Sequence, residues 1–337
     1  GCAPSGKPPL PPGELLGMSH ALGHRLRDGG FPAPSETRKT GVVIVGAGIS
    51  GLAAAWKLAK SGVDDFLVLD AENEFGGNSR AGQSPLVAYP WGAHYLPLPT
   101  RESTAVRELL AELGVLHGDP AATKPVYDER YLCATPQERV YRNGLWEEGL
   151  LPHRGVDAGE REQQRRFQER MEELKNTRGK DGRRAFAIPM ELSSRDPEWR
   201  ALDRIPFSKW LTDHGFTAPT LHWLANYATR DDYGMDYDQT SAWAGLHYFA
   251  CRTGEAANAA SDAVLTAPDG NALLARGLAR QAAGRILTDA LAWRIEEGKS
   301  SVAVDVLQGA KTIRIEARQV IWAAPAFVLP RIWLAMP

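Results

Sequence analysis

Residues 41–80 read GVVIVGAGISGLAAAWKLAKSGVDDFLVLDAENEFGGNSR, and this stretch decides the fold. An apolar strand over residues 42–45 leads into a glycine-rich turn over residues 46–51, GAGISG. An Ala- and Leu-rich helix follows over residues 52–60, and a second apolar strand comes after it over residues 66–69. A strand, a GxGxxG turn, a helix and a second strand in this order are typical of a βαβ dinucleotide-binding unit. The stretch therefore predicts an α/β fold.

Each part of the glycine-rich turn has a physical role in binding a dinucleotide. The first glycine permits the tight turn, the second lets a pyrophosphate approach the backbone, and the third lets the helix pack close to the strand. The helix N-terminus adds N–H groups and the positive end of the helix dipole. Asp70 ends the second strand, where a carboxylate can accept hydrogen bonds from ribose hydroxyls. The residues predicted at the phosphates are Gly46, Gly48, Ile49, Ser50 and Gly51.

The composition is that of an ordinary globular protein. The chain has 337 residues, more than one compact core usually holds, so two domains are expected. Hydrophobic residues make up 43% and charged residues 24%, and the net charge of −2 gives no reason to expect a nucleic-acid partner. No apolar run is long enough for a transmembrane helix. The three cysteines, Cys2, Cys133 and Cys251, form neither a metal cluster nor a CxxC pair, so no metal is expected.

The N-terminus starts Gly1-Cys2 and continues with a polar, Pro-rich segment, APSGKPP. This pattern is typical of a mature bacterial lipoprotein, in which the cysteine carries the lipid. We therefore expect Cys2 to anchor the protein to a membrane surface outside the cytoplasm. The alternative is that Gly1 remains from cloning, that Cys2 carries nothing, and that the protein is cytoplasmic.

The rest of the chain divides into a helical middle and an α/β end. Residues 101–263 hold several amphipathic helices and many aromatic residues, and they predict a mainly helical substrate domain. From residue 264 the pattern returns to α/β, with a helix over 272–283 and strands over 286–295, 301–307, 312–317 and 320–323. The predicted divisions are a tether and arm at 1–39, a discontinuous nucleotide-binding domain at 40–100 and 264–337, and the substrate domain at 101–263.

Five segments of the chain resemble the flavin-containing amine oxidoreductases, the family of the monoamine and polyamine oxidases. They are VVIVGAGISGLAAAWKLAKSG (42–62), LVLDAENEFGGNSR (67–80), WGAHY (91–95), PDGNALLARGLA (268–279) and the strands over 286–325 that end in VIWAAP. The resemblance covers residues 40–325, strongly at both ends and weakly in the middle. It implies a three-layer, Rossmann-like domain with a parallel sheet that binds FAD rather than NAD, and an inserted helical substrate domain.

The resemblance also implies where the cofactor lies. The glycine-rich turn would hold the FAD pyrophosphate, and the residue matching Asp70 would hold the adenosine ribose. The segment matching residues 91–94 would pass beside the isoalloxazine, and the residue matching Leu291 would offer its backbone to the adenine. Small residues let a chain pass close to a flat cofactor. The other residues of the predicted FAD site are Ala71, Gly76, Gly77, Asn78, Arg80, Trp91, Gly92, Ala93, His94, Ala323 and Ala324.

The sequence departs from the family pattern at two positions that usually carry arginine, Glu72 and Asn78. Those arginines help to neutralise the cofactor phosphates, and Arg80 is the candidate replacement. The family also continues for roughly a hundred residues past VIWAAP, and that part carries the lysine near flavin N5 and the aromatic cage. We therefore expect the chain to be a portion of a longer enzyme, and no catalytic residue is assigned. For His94, which would lie nearest the flavin, the backbone rather than the imidazole is expected to matter.

The resemblance implies a FAD-dependent oxidoreductase that oxidises a small amine-type substrate by hydride transfer to flavin N5. Two alternatives stay open. One is a FAD-dependent desaturase or isomerase of an apolar substrate, and the other is a non-catalytic flavin-binding scaffold at a membrane surface.

Overall fold

A twelve-residue strand leads into the glycine-rich turn in the computed structural model, which describes residues 12–13, 17–133 and 138–336. Cys2, on which the predicted lipid anchor depends, lies outside the described residues. The chain forms two compact units: a first unit of Gly1–His94 and Pro268–Pro337, and a second unit of Tyr95–Ala267. Each unit is built differently.

The first part of the first unit holds a short helix, the predicted βαβ segment and two short strands. Its elements, in chain order, are α1 (His20–Asp28), β1 (Pro34–Val45), α2 (Ile49–Lys60), β2 (Phe66–Leu69), β3 (Ala81–Gln83) and β4 (Ala88–Pro90). Helix α2 packs on the sheet through small and apolar residues, since Leu52, Ala55 and Trp56 are buried. Ser61 and Gly62 end this helix, and Gly62 adopts the left-handed conformation that suits glycine.

The second unit is mainly helical, as the sequence predicts. Its elements are β5 (Tyr95–Pro97), α3 (Thr104–Glu112), β6 (Leu116–His117), β7 (Val126–Tyr127), β8 (Arg139–Arg142), β9 (Leu145–Glu148), α4 (Ala158–Asn176), α5 (Pro197–Ala201), α6 (Phe207–Asp213), α7 (Pro219–Tyr233), α8 (Ala242–Ala250) and β10 (Val264–Thr266). Aromatic rings form much of its core: Phe186 and Phe207 are fully buried, and Phe167 contacts Phe216 and Phe249 edge to face.

The chain then returns to the first unit with one helix, a run of strands and a last short helix. These are α9 (Ala272–Ala279), β11 (Ile286–Leu287), β12 (Ala290–Glu297), β13 (Val302–Gln308), β14 (Lys311–Trp322) and α10 (Leu329–Ile332). Their buried valines and isoleucines pack with those of β1 into one core, which includes Val43, Val304 and Ile315.

The main sheet has six strands in the order β11-β2-β1-β14-β13-β12. The four strands from β11 to β14 pair in parallel, whereas β14, β13 and β12 pair antiparallel. The predicted α/β fold and Rossmann-like unit are therefore present, but the sheet is mixed rather than wholly parallel.

Four strand predictions were wrong in their bounds. The strands predicted at 312–317 and 320–323 are the single strand β14, and β1 begins at Pro34, inside the predicted arm, because β1 and β14 pair along their whole lengths. The strand predicted at 286–295 is broken in two, because Asp289 has a φ of 51° and lies between β11 and β12. Asp is one of the few residues other than glycine that adopt this left-handed conformation readily.

Candidate functional site

Two glycines of the turn are required by the packing of the chain itself. Gly46 has a φ of 103°, and a Cβ placed there would lie 2.8 Å from the carbonyl oxygen of Ala323 and 3.0 Å from the nitrogen of Ala324. A Cβ at Gly51 would lie 1.8 Å from the carbonyl oxygen of Gly46 and 3.3 Å from Cβ of Ala323. The structure thus brings the turn against the end of β14, where Ala323 and Ala324 were predicted to take part in the site.

Gly48 is different, because nothing in the chain requires glycine there. Its φ of −73° and ψ of −176° are extended backbone that any residue adopts. The nearest atom to an added Cβ is Cα of Gly77, at an ordinary contact distance of 3.9 Å. Gly48 caps helix α2 without any side-chain hydrogen bond, and the next residues, Ile49 and Ser50, are exposed. This leaves an open backbone surface at a helix N-terminus, which suits an anion.

The Asp70 carboxylate holds the glycine-rich turn by hydrogen bonds to two backbone N–H groups. One oxygen of its carboxylate accepts a hydrogen bond from Ala47 N at 2.7 Å, and the other accepts one from Glu72 N at 2.9 Å. Burial raises the pKa of the Asp70 carboxyl, while these hydrogen bonds act in the opposite direction. A carboxylate has further lone pairs, so the predicted contact with ribose hydroxyls stays a prediction. The backbone oxygen of Asp70 accepts a hydrogen bond from Ala290 N at 2.8 Å, and Leu291, the residue predicted to contact the adenine, follows Ala290 in the chain.

The Gly76–Gly77 pair lies directly against the turn. Gly76 N donates to the carbonyl oxygen of Ala47 at 2.8 Å, and a Cβ at Gly77 would lie 3.1 Å from Cα of Gly48. Both glycines have positive φ, 114° and 55°. The two glycine motifs, separated in the sequence, therefore form one surface, with Ala71 in the loop between them half-buried.

The segment predicted to pass beside the flavin pairs with the residues after Gly77. Ala93 N donates to the carbonyl oxygen of Asn78 at 3.0 Å, and Trp91 N donates to that of Arg80 at 3.2 Å. A Cβ at Gly92 would lie 2.9 Å from the oxygen of Asn78, so a side chain does not fit there. The Nδ1 atom of His94 lies 3.0 Å from the carbonyl oxygen of Gly92. The Asn78 side chain itself is exposed.

A cavity of about 670 Å³ opens beside the Gly76–Gly77 pair, and its volume is in the range of small-molecule sites. Ser79 and Arg80 line it, together with helix α9 and the end of β11. None of the three glycines of the turn lines it, so the cavity adjoins the glycine-rich surface rather than containing it. The Arg80 side chain lines this cavity close to Gly76, where an added Cβ would lie 3.1 Å from Cγ of Arg80.

Arg80 has partners that the sequence did not reveal. The Arg80 guanidinium lies 5.1 Å from the centroid of the Trp91 ring, and its Nη1 is 3.9 Å from Oε2 of Glu72. Glu72 also accepts a hydrogen bond from Ser19 N at 2.8 Å, and Nη2 of Arg80 donates to the sulfur of Met18 at 3.3 Å. The N-terminal arm thus contacts both residues, over a sequence separation that no local pattern could indicate.

The second unit supplies no comparable site in its described residues. His247 and Tyr248, on α8, are packing residues: Nε2 of His247 lies 2.9 Å from the carbonyl oxygen of Ala187, its ring stacks on Trp243, and Tyr248 is buried. A cavity of about 270 Å³ is lined by Arg178, Arg183 and Arg184 among others.

Across the part of the chain that the structure describes, His, Cys, Asp and Glu form no group that could hold a metal ion, and no helix is long and apolar enough to cross a membrane.

The sequence is similar to those of known nucleotide-binding proteins. A family profile of NAD(P)-binding Rossmann-like domains matches residues 44–113. The chain is 27% identical, over 290 residues, to a Mycobacterium tuberculosis protein assigned as a flavin-containing monoamine oxidase, AofH. That alignment covers 84% of this chain and 56% of the relative, so the chain spans little more than half of the relative's length.

Solved structures share the fold at lower identity. Putrescine oxidase bound to putrescine has a TM-score of 0.63 at 22% identity, over 88% of this chain and 61% of the other. A fatty acid isomerase from P. acnes has a TM-score of 0.60 at 19% identity, over 88% of this chain and 62% of the other. The chain is thus similar in sequence to a flavin-containing monoamine oxidase and in fold to putrescine oxidase, as the resemblance seen in its sequence implied.

Proposed function

We propose that the chain binds FAD and forms part of a FAD-dependent oxidoreductase that oxidises a small amine-type substrate. The observation that carries the proposal is the open backbone at Gly48, which the fold does not explain but a pyrophosphate does. The likeness to an assigned flavin-containing monoamine oxidase over 84% of the chain supports the reaction class.

The residues present fit such a cofactor. The start of α2 would hold the pyrophosphate with its N–H groups, while Asp70, fixed by Ala47 N and Glu72 N, would face the ribose. Ala323 and Ala324 would let the chain pass close to a flat ring. When bound, FAD supplies the chemistry, by accepting a hydride equivalent from a C–H bond beside the amine nitrogen. The protein residues would bind the cofactor, orient the substrate against it and exclude water.

The first test is the visible absorbance of the protein purified from its complete gene. We expect the absorbance bands of bound flavin, and H₂O₂ release with at least one member of a panel of primary, secondary and polyamine substrates. A protein that stays colourless after incubation with FAD would overturn the proposal of FAD binding. Bound flavin without turnover of any amine would overturn only the substrate class.

That second outcome would favour an apolar substrate. The fatty acid isomerase has nearly the same TM-score as putrescine oxidase, and one fold can serve both chemistries. Spectroscopic assay of polyunsaturated fatty acids under anaerobic conditions separates the two, because an isomerase shifts a double bond without consuming O₂.

We also propose that the protein is a lipoprotein held at a membrane surface through Cys2. The support is the Gly1-Cys2 start and the Pro-rich segment after it. Mass spectrometry of the protein from its native source would show a diacylglycerol adduct on the N-terminal cysteine. An unmodified Cys2 in a longer chain would contradict it and favour the cytoplasmic alternative.

A further inference from the structure

Arg80 is buried without the acceptors that a guanidinium needs. Its side chain is only 5% exposed, and among the described residues its Nε has no hydrogen-bond partner. Among the described residues, Nη2 donates only to the sulfur of Met18, which is a weak acceptor. Nη1 lies 3.9 Å from Glu72 Oε2, too far for a hydrogen bond. Buried donors are normally satisfied, and a charged one left open is costly, so this geometry points to an acceptor from outside the chain.

The surroundings hold Arg80 in place without filling its donors. The Trp91 ring contacts the guanidinium through its face, and Glu72 faces Nη1 while its other oxygen, Oε1, is held by Ser19 N. The ring attracts the cation but accepts no conventional hydrogen bond. Arg80 is therefore oriented in advance, which lowers the entropy lost when it binds a ligand.

The charges around the cavity make Arg80 the cation best suited to an anion. Arg276, on the same cavity wall, is already paired with Asp269. The Asp70 carboxylate lies beside the glycine-rich turn, where it would repel an incoming diphosphate unless a positive charge offset it. Arg80 lies on the loop that continues from Gly77, whose backbone contacts Gly48.

We infer that Arg80 binds a phosphate group of the dinucleotide through the donors left open at Nε and the guanidinium edge. It takes over the role of the arginines that the family pattern has at positions 72 and 78, where this chain has Glu72 and Asn78. The inference rests on the proposed function, since it takes the ligand of the glycine-rich surface to be a dinucleotide. Arginine suits the task because its planar fork matches phosphate oxygens.

The test is calorimetric titration of the full chain, wild type and Arg80→Met, with FAD, ADP and riboflavin. We expect the variant to bind FAD and ADP about ten- to a hundredfold more weakly, the effect of one charge-assisted hydrogen-bond set, while its binding of riboflavin, which has no diphosphate, is unchanged. Arg80→Lys should recover part of the loss. The salt dependence of ADP binding should also be shallower in Arg80→Met, which a purely structural role would not produce.

Two matched controls remove the same charge elsewhere in the first unit. Arg318→Met acts at an exposed residue of β14 near Asp65, which precedes β2, whereas Asp70 follows that strand. Arg276→Met acts on the same cavity but at an arginine that already has its partner. Both should bind ADP within about twofold of wild type. Circular dichroism of Arg80→Met shows whether the variant is folded, and Arg80→Lys carries the test if it is not.

The outcomes separate the two proposals. If wild type binds FAD and Arg80→Met binds it equally well, the role of Arg80 is wrong and the proposed function stands. If wild type binds ADP through Arg80 but takes up no flavin, the FAD proposal fails while the phosphate contact stands. If wild type binds neither ADP nor FAD, both fail.

Discussion

Among the residues that the structure describes, two arginines are buried, one in each unit, and their surroundings are opposite. Arg107, on α3 of the second unit, is 1% exposed, and its Nε, Nη1 and Nη2 all donate to carbonyl oxygens, those of Pro99, Pro120 and Ala122. Arg80, in the first unit, is 6% exposed, and its Nε donates to nothing in the described chain. Both side chains are buried cations. Within the described residues, every guanidinium nitrogen of Arg107 has a hydrogen-bond acceptor, whereas Nε of Arg80 has none.

The difference separates a structural residue from a binding residue. Arg107 donates hydrogen bonds to three carbonyl groups of the loops around α3, so it stabilises the folded chain. Arg80 is positioned but left with open donors, so it has a use that the folded chain alone does not supply. The same contrast holds between Gly51, which packing requires, and Gly48, which it does not.

The largest effect should come from removing the structural arginine. We expect Arg107→Met to lower the free energy of unfolding by about 3 kcal/mol, because it leaves buried carbonyl oxygens without donors. Arg80→Met should lower it by less than about 1 kcal/mol in the absence of ligand, since few hydrogen bonds are lost. Urea unfolding followed by circular dichroism measures both.

Adding FAD sharpens this comparison. Wild type and Arg107→Met should gain similar stability from saturating FAD, whereas Arg80→Met should gain less. Equal destabilisation by the two arginine substitutions, with or without FAD, would show that the contrast between the two residues is not real.

The second effect concerns the glycines. We expect Gly51→Ala to cost about 2 kcal/mol of stability, because its Cβ would lie 1.8 Å from the backbone oxygen of Gly46 and the turn must move. Gly48→Ala should cost less than about 1 kcal/mol, since the added Cβ meets only an ordinary contact, but it should weaken FAD binding. Thermal unfolding and FAD titration of both variants measure the two properties separately.

A matched control for these glycines is Gly23→Ala on α1 of the same unit, where an added Cβ meets no atom within 4 Å and the backbone is helical. It reports the effect of adding a methyl group without a clash and without backbone strain. The interpretation of Gly48 would be wrong if Gly48→Ala bound FAD as tightly as wild type.

The smallest effect is a pH dependence in the second unit. Burial lowers the pKa of His247 below its ordinary value of 6.5, so the folded protein keeps this imidazole neutral where the unfolded chain would protonate it. The stability gained from the neutral form is present above pH 6.5 and is lost as the pH falls from there toward the lowered pKa. Urea unfolding at pH 7.5 and at 5.5 should show this loss in wild type and a smaller one in His247→Gln. Identical losses in the two proteins would exclude His247 as the cause.

The sequence predicted the parts of the fold that local patterns encode. The βαβ unit is present because apolar strands, glycines and a helix follow one another within residues 42–69. The extension of β1 back to Pro34 could not be predicted, since residues 34–39 are exposed and polar. They become a strand only because β14 supplies the hydrogen-bond partners.

The candidate site was predictable in its backbone and not in its side chains. The spacing of the glycine-rich turn indicated Gly48, and the family resemblance indicated Gly77 and Ala323, so these small residues could be predicted from the sequence. The environment of Arg80 depends on Met18 and Trp91, which are distant in sequence, and on Glu72, whose contact with Ser19 spans 53 positions. Replacement of the family's arginines was visible in the sequence, but the compensating geometry required the structure.

The central claim is that the glycine-rich surface and the loop carrying Arg80 bind one dinucleotide. Hydrogen–deuterium exchange of the full chain, with and without FAD, tests it most directly. We predict that FAD slows exchange in peptides covering residues 46–51 and 76–81 and leaves the peptide carrying Arg107 on α3 unchanged. Unchanged exchange at residues 46–51 and 76–81 under saturating FAD would contradict the claim.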